Sequence, residues 1–160
     1  MSAGNQLAPA LEMIATRAGK YQGTGKNFEG QPFTATLELK SKVSGYVVEL
    51  SFKAQDDSSA FHEELTWISP DLETDRLCLY TVSTNTPGVL CHVLHEDRID
   101  DIRERRLSFR LGNPEDKRTF RQEITLDLMK NGSIEYRYAW GVPHEDFGIR
   151  VQAVLHPAAH

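Results

Sequence analysis

FRQEITLDLMKNGSIEYRYAW, residues 120–140, carries the reading of the fold. Phe120, Gln122 and Ile124 share one parity, opposite Arg121 and Glu123. Ile134, Tyr136, Tyr138 and Trp140 then share another, opposite Glu135 and Arg137. A period of two marks a half-buried β-strand, because successive side chains leave a strand on opposite sides. Asn131-Gly132 between the two runs supplies residues that tolerate left-handed turn dihedrals, the strongest short-range hairpin signal in the chain. The stretch predicts two antiparallel strands joined by a tight turn.

The same period extends over most of the chain. Phe33, Ala35, Leu37 and Leu39 alternate with polar residues, and Tyr46, Val48, Leu50 and Phe52 alternate with Val47, Glu49, Ser51 and Lys53. Phe61, Glu63, Leu65 and Trp67 share a face, opposite His62, Glu64, Thr66 and Ile68. With Tyr21–Phe28, Leu77–Ser83, Val89–Glu96, Arg106–Leu111 and Gly148–His156, the count comes to ten strands between about residues 20 and 156. Glu29-Gly30, Ser44-Gly45, Pro87-Gly88 and Gly112-Asn113-Pro114 mark further turns. No connection has room for a helical crossover, so the pairing is an antiparallel meander. Ten twisted strands, each with one apolar face, split into a sandwich or close on themselves, and closure removes the unpaired edges. The expectation is a mainly-β, single domain over residues 1–160: a closed up-and-down barrel with a frayed tail at 157–160.

One helix precedes the strands. Leu7, Ala10, Leu11 and Ile14 recur at spacings of three and four, which predicts a helix over Gln6–Arg17 with Asn5 as N-cap, packed as a lid on one barrel end. The segment Asp97–Arg106 is dense in charges of both signs and reads as a solvated loop or a charged strand edge.

Composition narrows the function. In 160 residues there are 18 basic and 23 acidic side chains, a formal charge of −5, which argues against nonspecific nucleic-acid binding. Two cysteines, Cys78 and Cys91, make neither a disulfide framework nor a four-thiolate zinc site. No apolar run approaches the ~20 residues of a membrane span, and Met1–Gly4 lacks a basic, apolar leader pattern, so a cytoplasmic protein is expected.

Leu11–Gly25 reads LEMIATRAGKYQGTG, a short helix leading into Gly-x-aromatic-x-Gly-x-Gly on the first strand. This resembles the calycin barrels, which include lipocalins, fatty-acid-binding proteins and the haem-binding nitrobindins. It resembles more closely small bacterial one-domain families of unknown function, through the turn Trp67-Ile68-Ser69-Pro70-Asp71 and the run from Arg121-Gln122-Glu123 through Asn131-Gly132 to Arg150–His156. The resemblance implies a lipocalin-like barrel with a ligand in its lumen. Fatty-acid-binding proteins hold a carboxylate with Arg-x-Tyr near the chain end. Here Tyr136-Arg137-Tyr138 sets Arg137 on the parity opposite both tyrosines, which speaks against that function. Haem is the cofactor that the nitrobindin likeness would bring. His156 is its positional candidate, and it alternates away from Ile149, Val151, Ala153 and Leu155.

Catalytic patterns are missing. There is no Gly-x-Ser-x-Gly elbow, no HExxH and no phosphate-cradling glycine loop, and His92 and His95 have opposite strand parity. The functional lead is an aromatic and polar set. With the apolar phase inward, Trp67 and Glu63, Gln122, and Tyr136, Tyr138 and Trp140 face the lumen, and buried hydroxyls or carboxyls there need partners. Arg121, Arg137 and Arg150 fall on the opposite phase. The expectation is a non-catalytic binder of a small, mainly apolar molecule, such as a lipid-like metabolite or a haem-like ring, neutral or weakly cationic rather than anionic, at Glu63, Trp67, Gln122, Tyr136, Tyr138 and Trp140, with no metal. The alternative is a structural or interaction module using the outer barrel surface, with a homodimer as its simplest form.

Overall fold

Alternating strands joined by short turns give a sheet that rolls up completely. The protein is described by a computed structural model covering residues 8–27, 29–57 and 60–158. Helix α1 (Pro9–Ala15) precedes β1 (Gly19–Asn27), β2 (Pro32–Lys42), β3 (Val47–Gln55), β4 (Ala60–Asp71) and β5 (Arg76–Ser83). Then come β6 (Thr86–Arg98), β7 (Arg103–Leu111), β8 (Arg121–Met129), β9 (Ile134–Gly141) and β10 (Gly148–Pro157). Each strand pairs antiparallel with its chain neighbour, and β1 pairs with β10, from Tyr21↔Pro157 to Asn27↔Val151, closing the barrel. The turn at Asn131-Gly132 forms as read: the Asn131 Oδ1 accepts from the Ser133 N–H at 2.9 Å and its hydroxyl at 2.6 Å.

Two glycines make the closing seam. A Cβ placed on Gly23 would run into the Val154 carbonyl, and one on Gly25 into that of Gln152, so at these two positions the pairing of β1 with β10 needs glycine.

Helix α1 closes one end with Ala10, Leu11 and Ile14 buried. It is shorter than the 3.6-residue period suggests. Asn5, Gln6 and Leu7 lie outside the described residues, and the regular helix stops at Ala15 rather than Arg17. Arg17 turns away to donate to the Met129 carbonyl at 2.6 Å and to pair with Glu104 at 3.2 Å. Tyr21, the aromatic of the glycine-rich first strand, is buried and donates to the Arg17 carbonyl at 2.6 Å, tying the lid to β1.

The charged segment 97–106 is mostly strand. β6 runs to Arg98 and β7 starts at Arg103, and cross-strand pairs use the alternating charges: Arg105 with Asp97 at 2.6 Å and Arg106 with Asp127 at 2.7 Å. Antiparallel neighbours of opposite sign stabilise such strands on the outer face of the barrel, where Asp127 is buried beneath its arginine partner.

Candidate functional site

Inward-facing residues of the middle strands meet at the waist of the barrel. Glu64 on β4 is 3% exposed, and three hydroxyls surround its carboxyl group. Tyr136 donates to Oε2 at 2.6 Å, Thr66 donates to the same oxygen, and Tyr138 donates to Oε1. Thr81 Oγ1 lies 2.8 Å from Thr66 Oγ1 and continues the chain of hydroxyls. Burial first, and then the neighbouring Glu64, push both tyrosine hydroxyls well above their ordinary range, so they stay protonated as donors.

His62 sits between this cluster and the open end. Its Nδ1 lies 2.8 Å from the Asn85 amide nitrogen, which can only donate. Nδ1 is therefore the acceptor and Nε2 carries the proton, aimed at Glu64 Oε1 from 3.5 Å. Its ring meets Tyr138 edge-on, and Tyr138 in turn meets Tyr136 and Trp140 in the same way.

Above the cluster a cavity of about 190 Å³ opens at the end opposite the helix, lined among others by His62, Thr81, Leu90, Gln122, Tyr138 and Trp140. Among the described residues, no lysine or arginine lines it. His92, fully buried on β6, holds the Gln122 Oε1 at 2.8 Å through Nε2. Burial is the main cause that pulls the His92 imidazole down to about 4, so it is neutral near pH 7.

Gln122, Tyr136, Tyr138 and Trp140 thus come together at the waist and mouth, on the parity read from residues 120–140. Glu63 and Trp67 do not. Glu63 is exposed, and Trp67 points outward, donating from Nε1 to Glu49 at 3.1 Å. That Glu49 carboxyl is held below the usual range, chiefly by its hydrogen bond with Lys42. The physical reason is the register with β3, which sets Ile68, Thr66, Glu64 and His62 opposite the buried row Val48, Leu50, Phe52 and Ala54; the shift between Ala54 and Gln55 changes only the place of Phe61. Phe61 falls at the irregular position and packs edge-on to buried Phe33 at 5.4 Å. From His62 onward the inward set is His62, Glu64, Thr66 and Ile68.

His62, Glu64, Thr66, Thr81 and His92 were not picked out by hydropathy. The usable signal was the partner strand, since the apolar row Leu50, Phe52, Ala54 on β3 sits opposite Thr66, Glu64 and His62.

Arg121 keeps the outward parity yet is wholly buried. It donates to the carbonyls of Pro114, Thr119, Val142 and Glu145 at 2.5–3.3 Å, joining the β7–β8 and β9–β10 loops. A Cβ on Gly141 would lie 2.7 Å from the Arg121 Cζ, so the clamp needs glycine there. Arg150 stands beside Trp140 at a register shift, its guanidinium 6.0 Å from the indole centre and donating to the Trp140 and Asp146 carbonyls. His156 is exposed on the outer face of β10, opposite Gln22, so the histidine on which a haem site would be built offers the lumen no ligand. Among the described residues no group of three or more His, Cys, Asp or Glu is placed to hold a metal ion, and no helix is long and apolar enough to cross a membrane.

Another concavity lies outside the barrel. About 730 Å³ lies over the outer faces of β1–β5, lined among others by Lys20, Gln22, Glu38, Lys53, Glu63 and Leu65.

No protein-family model matches the sequence, and no curated protein matches it. Among solved structures, the crystal structure of Rv2717c from M. tuberculosis is similar, with a TM-score of 0.70 over 96% of this chain and 100% of that one. At 14% identity this likeness speaks for the closed ten-strand barrel and for nothing of its activity.

Proposed function

We propose that the chain binds, without catalysis, one small, mainly apolar and uncharged molecule at the mouth of its barrel. The observation that carries this reading is the mouth cavity itself. It has aromatic and aliphatic walls, a few fixed polar groups, and a floor whose carboxyl and hydroxyls already satisfy one another. Such a mix of apolar wall and sparse polar anchors is what small-molecule sites are made of. An anionic ligand is disfavoured, because no lysine or arginine among the described residues lines the cavity to compensate a buried charge.

The test is displacement of an environment-sensitive dye from the purified protein by 1-octanol and by octanoate at pH 7.5. Octanol should compete at least tenfold better. Preference for octanoate would show that a cation such as Arg150 turns into the cavity and would sink the uncharged-ligand reading. Native mass spectrometry of freshly purified protein should show an adduct of low mass.

A second reading, interaction through the outer surface, is favoured by the groove over β1–β5. A second copy of this chain is its simplest occupant. Sedimentation equilibrium should then show a dimer that Leu65→Arg dissociates, and a monomer at all concentrations would remove that occupant.

A further inference from the structure

Resting on the mouth cavity as the binding site, we infer that the Gln122 amide reads a hydrogen-bond acceptor on the bound molecule, a carbonyl oxygen carried by one small ring. His92 is the positioning residue that aims the amide. A glutamine side chain ends in an acceptor and a donor of nearly equal shape, and its partner decides which of them faces the ligand. The other nitrogen of the partner fixes the choice. A neutral imidazole carries one N–H, and His92 Nδ1 is buried with no partner among the described residues. An orphaned buried N–H is the costlier of the two states, so the proton sits on Nε2, 2.8 Å from Gln122 Oε1. Nε2 is therefore the donor and Oε1 is held. The Gln122 NH₂ is left over, with no protein acceptor among the described residues, on a side chain that lines the cavity. A ligand meets a donor there.

The rest of His92 agrees with this role. Its Nδ1 is buried and has no partner among the described residues. A buried acceptor without a donor is a cost that an apolar side chain at this position would not carry. What offsets it is the hydrogen bond made by the other nitrogen. The neighbouring polar groups are already engaged: Tyr138 gives its proton to Glu64, and the His62 Nδ1 accepts from Asn85. The cavity's 190 Å³ sets the size of the ligand, since a dry cavity of roughly 150 Å³ takes a benzene-sized molecule. One ring with a short carbonyl substituent fits.

Acetophenone and α-methylstyrene test this directly. They share one shape and differ by a carbonyl oxygen against a methylene. Their dissociation constants would be measured by NMR titration of ¹⁵N-labelled protein. Between wild type and Gln122→Met, the acetophenone-to-α-methylstyrene affinity ratio should fall roughly three- to tenfold, the size of one hydrogen bond. His92→Phe should lower the same ratio with Gln122 still present, because the amide is then free to turn. In the wild type, where folding is not at issue, the Gln122 side-chain amide resonances should move with acetophenone and stay with α-methylstyrene. Both probes binding with an unchanged ratio and a silent Gln122 amide would overturn this inference alone. Neither probe perturbing the mouth residues would overturn the mouth as the binding site as well.

Discussion

The two halves of the lumen are equally buried and chemically opposite. Between the waist and helix α1 stand Leu39, Leu50, Leu79, Leu126, Leu128 and Ile134, each at most 1% exposed. Between the waist and the open end stand His62, His92, Thr81 and Gln122, none above 7%. The change runs along single strands. Inward residues of β8 pass from Gln122 to Ile124, Leu126 and Leu128, and those of β9 from Trp140 through Tyr138 and Tyr136 to Ile134. Burial alone therefore does not decide where the barrel is core and where it is site. What distinguishes the mouth half is that its buried groups need one another's hydrogen bonds, and that a cavity remains among them.

The largest expected effect tests the apolar half. Leu50→Ala should cost about 2–5 kcal/mol, the range for emptying a well-packed leucine site. Leu90→Ala, at the cavity wall, should cost distinctly less because that side chain is only half-buried and borders open space. Urea unfolding of the two variants would check this, and equal losses would break the contrast between the halves.

Next in size is a dependence on pH that belongs to the mouth half. His92 has a folded pKa of about 4 against 6.5 for an ordinary histidine. Between those values the unfolded chain binds a proton that the folded chain refuses, so stability rises with pH from 4 to 6.5 and is fully present above that. The contribution is about 3 kcal/mol at neutral pH. Unfolding free energies measured across this window should show the slope in wild type and its reduction in His92→Phe. An unchanged slope in the variant would show that His92 is not the group responsible.

The smallest effect probes the waist. Tyr136→Phe removes one donor from the Glu64 carboxyl group and should cost about 1 kcal/mol, the net size of one hydrogen bond. Thermal unfolding would read it. No loss would mean that Tyr138 and Thr66 suffice and that the waist tolerates a missing hydroxyl.

The barrel was legible because ten strands alternate and their connections are too short for helices. The inward phase of β8 and β9 was legible because large apolar residues occupy one parity throughout. On β4 the same rule points the wrong way. Phe61, Leu65 and Trp67 outweigh Thr66 and Ile68 in hydropathy, yet the register with the apolar row of β3 and the tyrosines of β9 put His62, Glu64 and Thr66 inside. Hydropathy scores a residue against water, whereas Glu64 is stabilised by Tyr136 and Tyr138, more than seventy positions along the chain. Arg121 was hidden for a related reason: its partners are backbone carbonyls of two loops, and carbonyls leave no trace in a residue pattern.

The β1–β10 seam also orders events in time. β1 emerges from the ribosome first, and β10 is the strand made last among the ten, so the contacts from Tyr21↔Pro157 to Asn27↔Val151 are the most distant in sequence that the sheet contains. Distant contacts form late, because chain closure must precede any reward from them. Until residue 148 and its successors are synthesised, the nascent sheet carries two unpaired edges, one of them on the glycine-containing β1, open to pairing with another chain. Translation that stalls between β9 and β10 should therefore yield a product prone to aggregation rather than a smaller barrel.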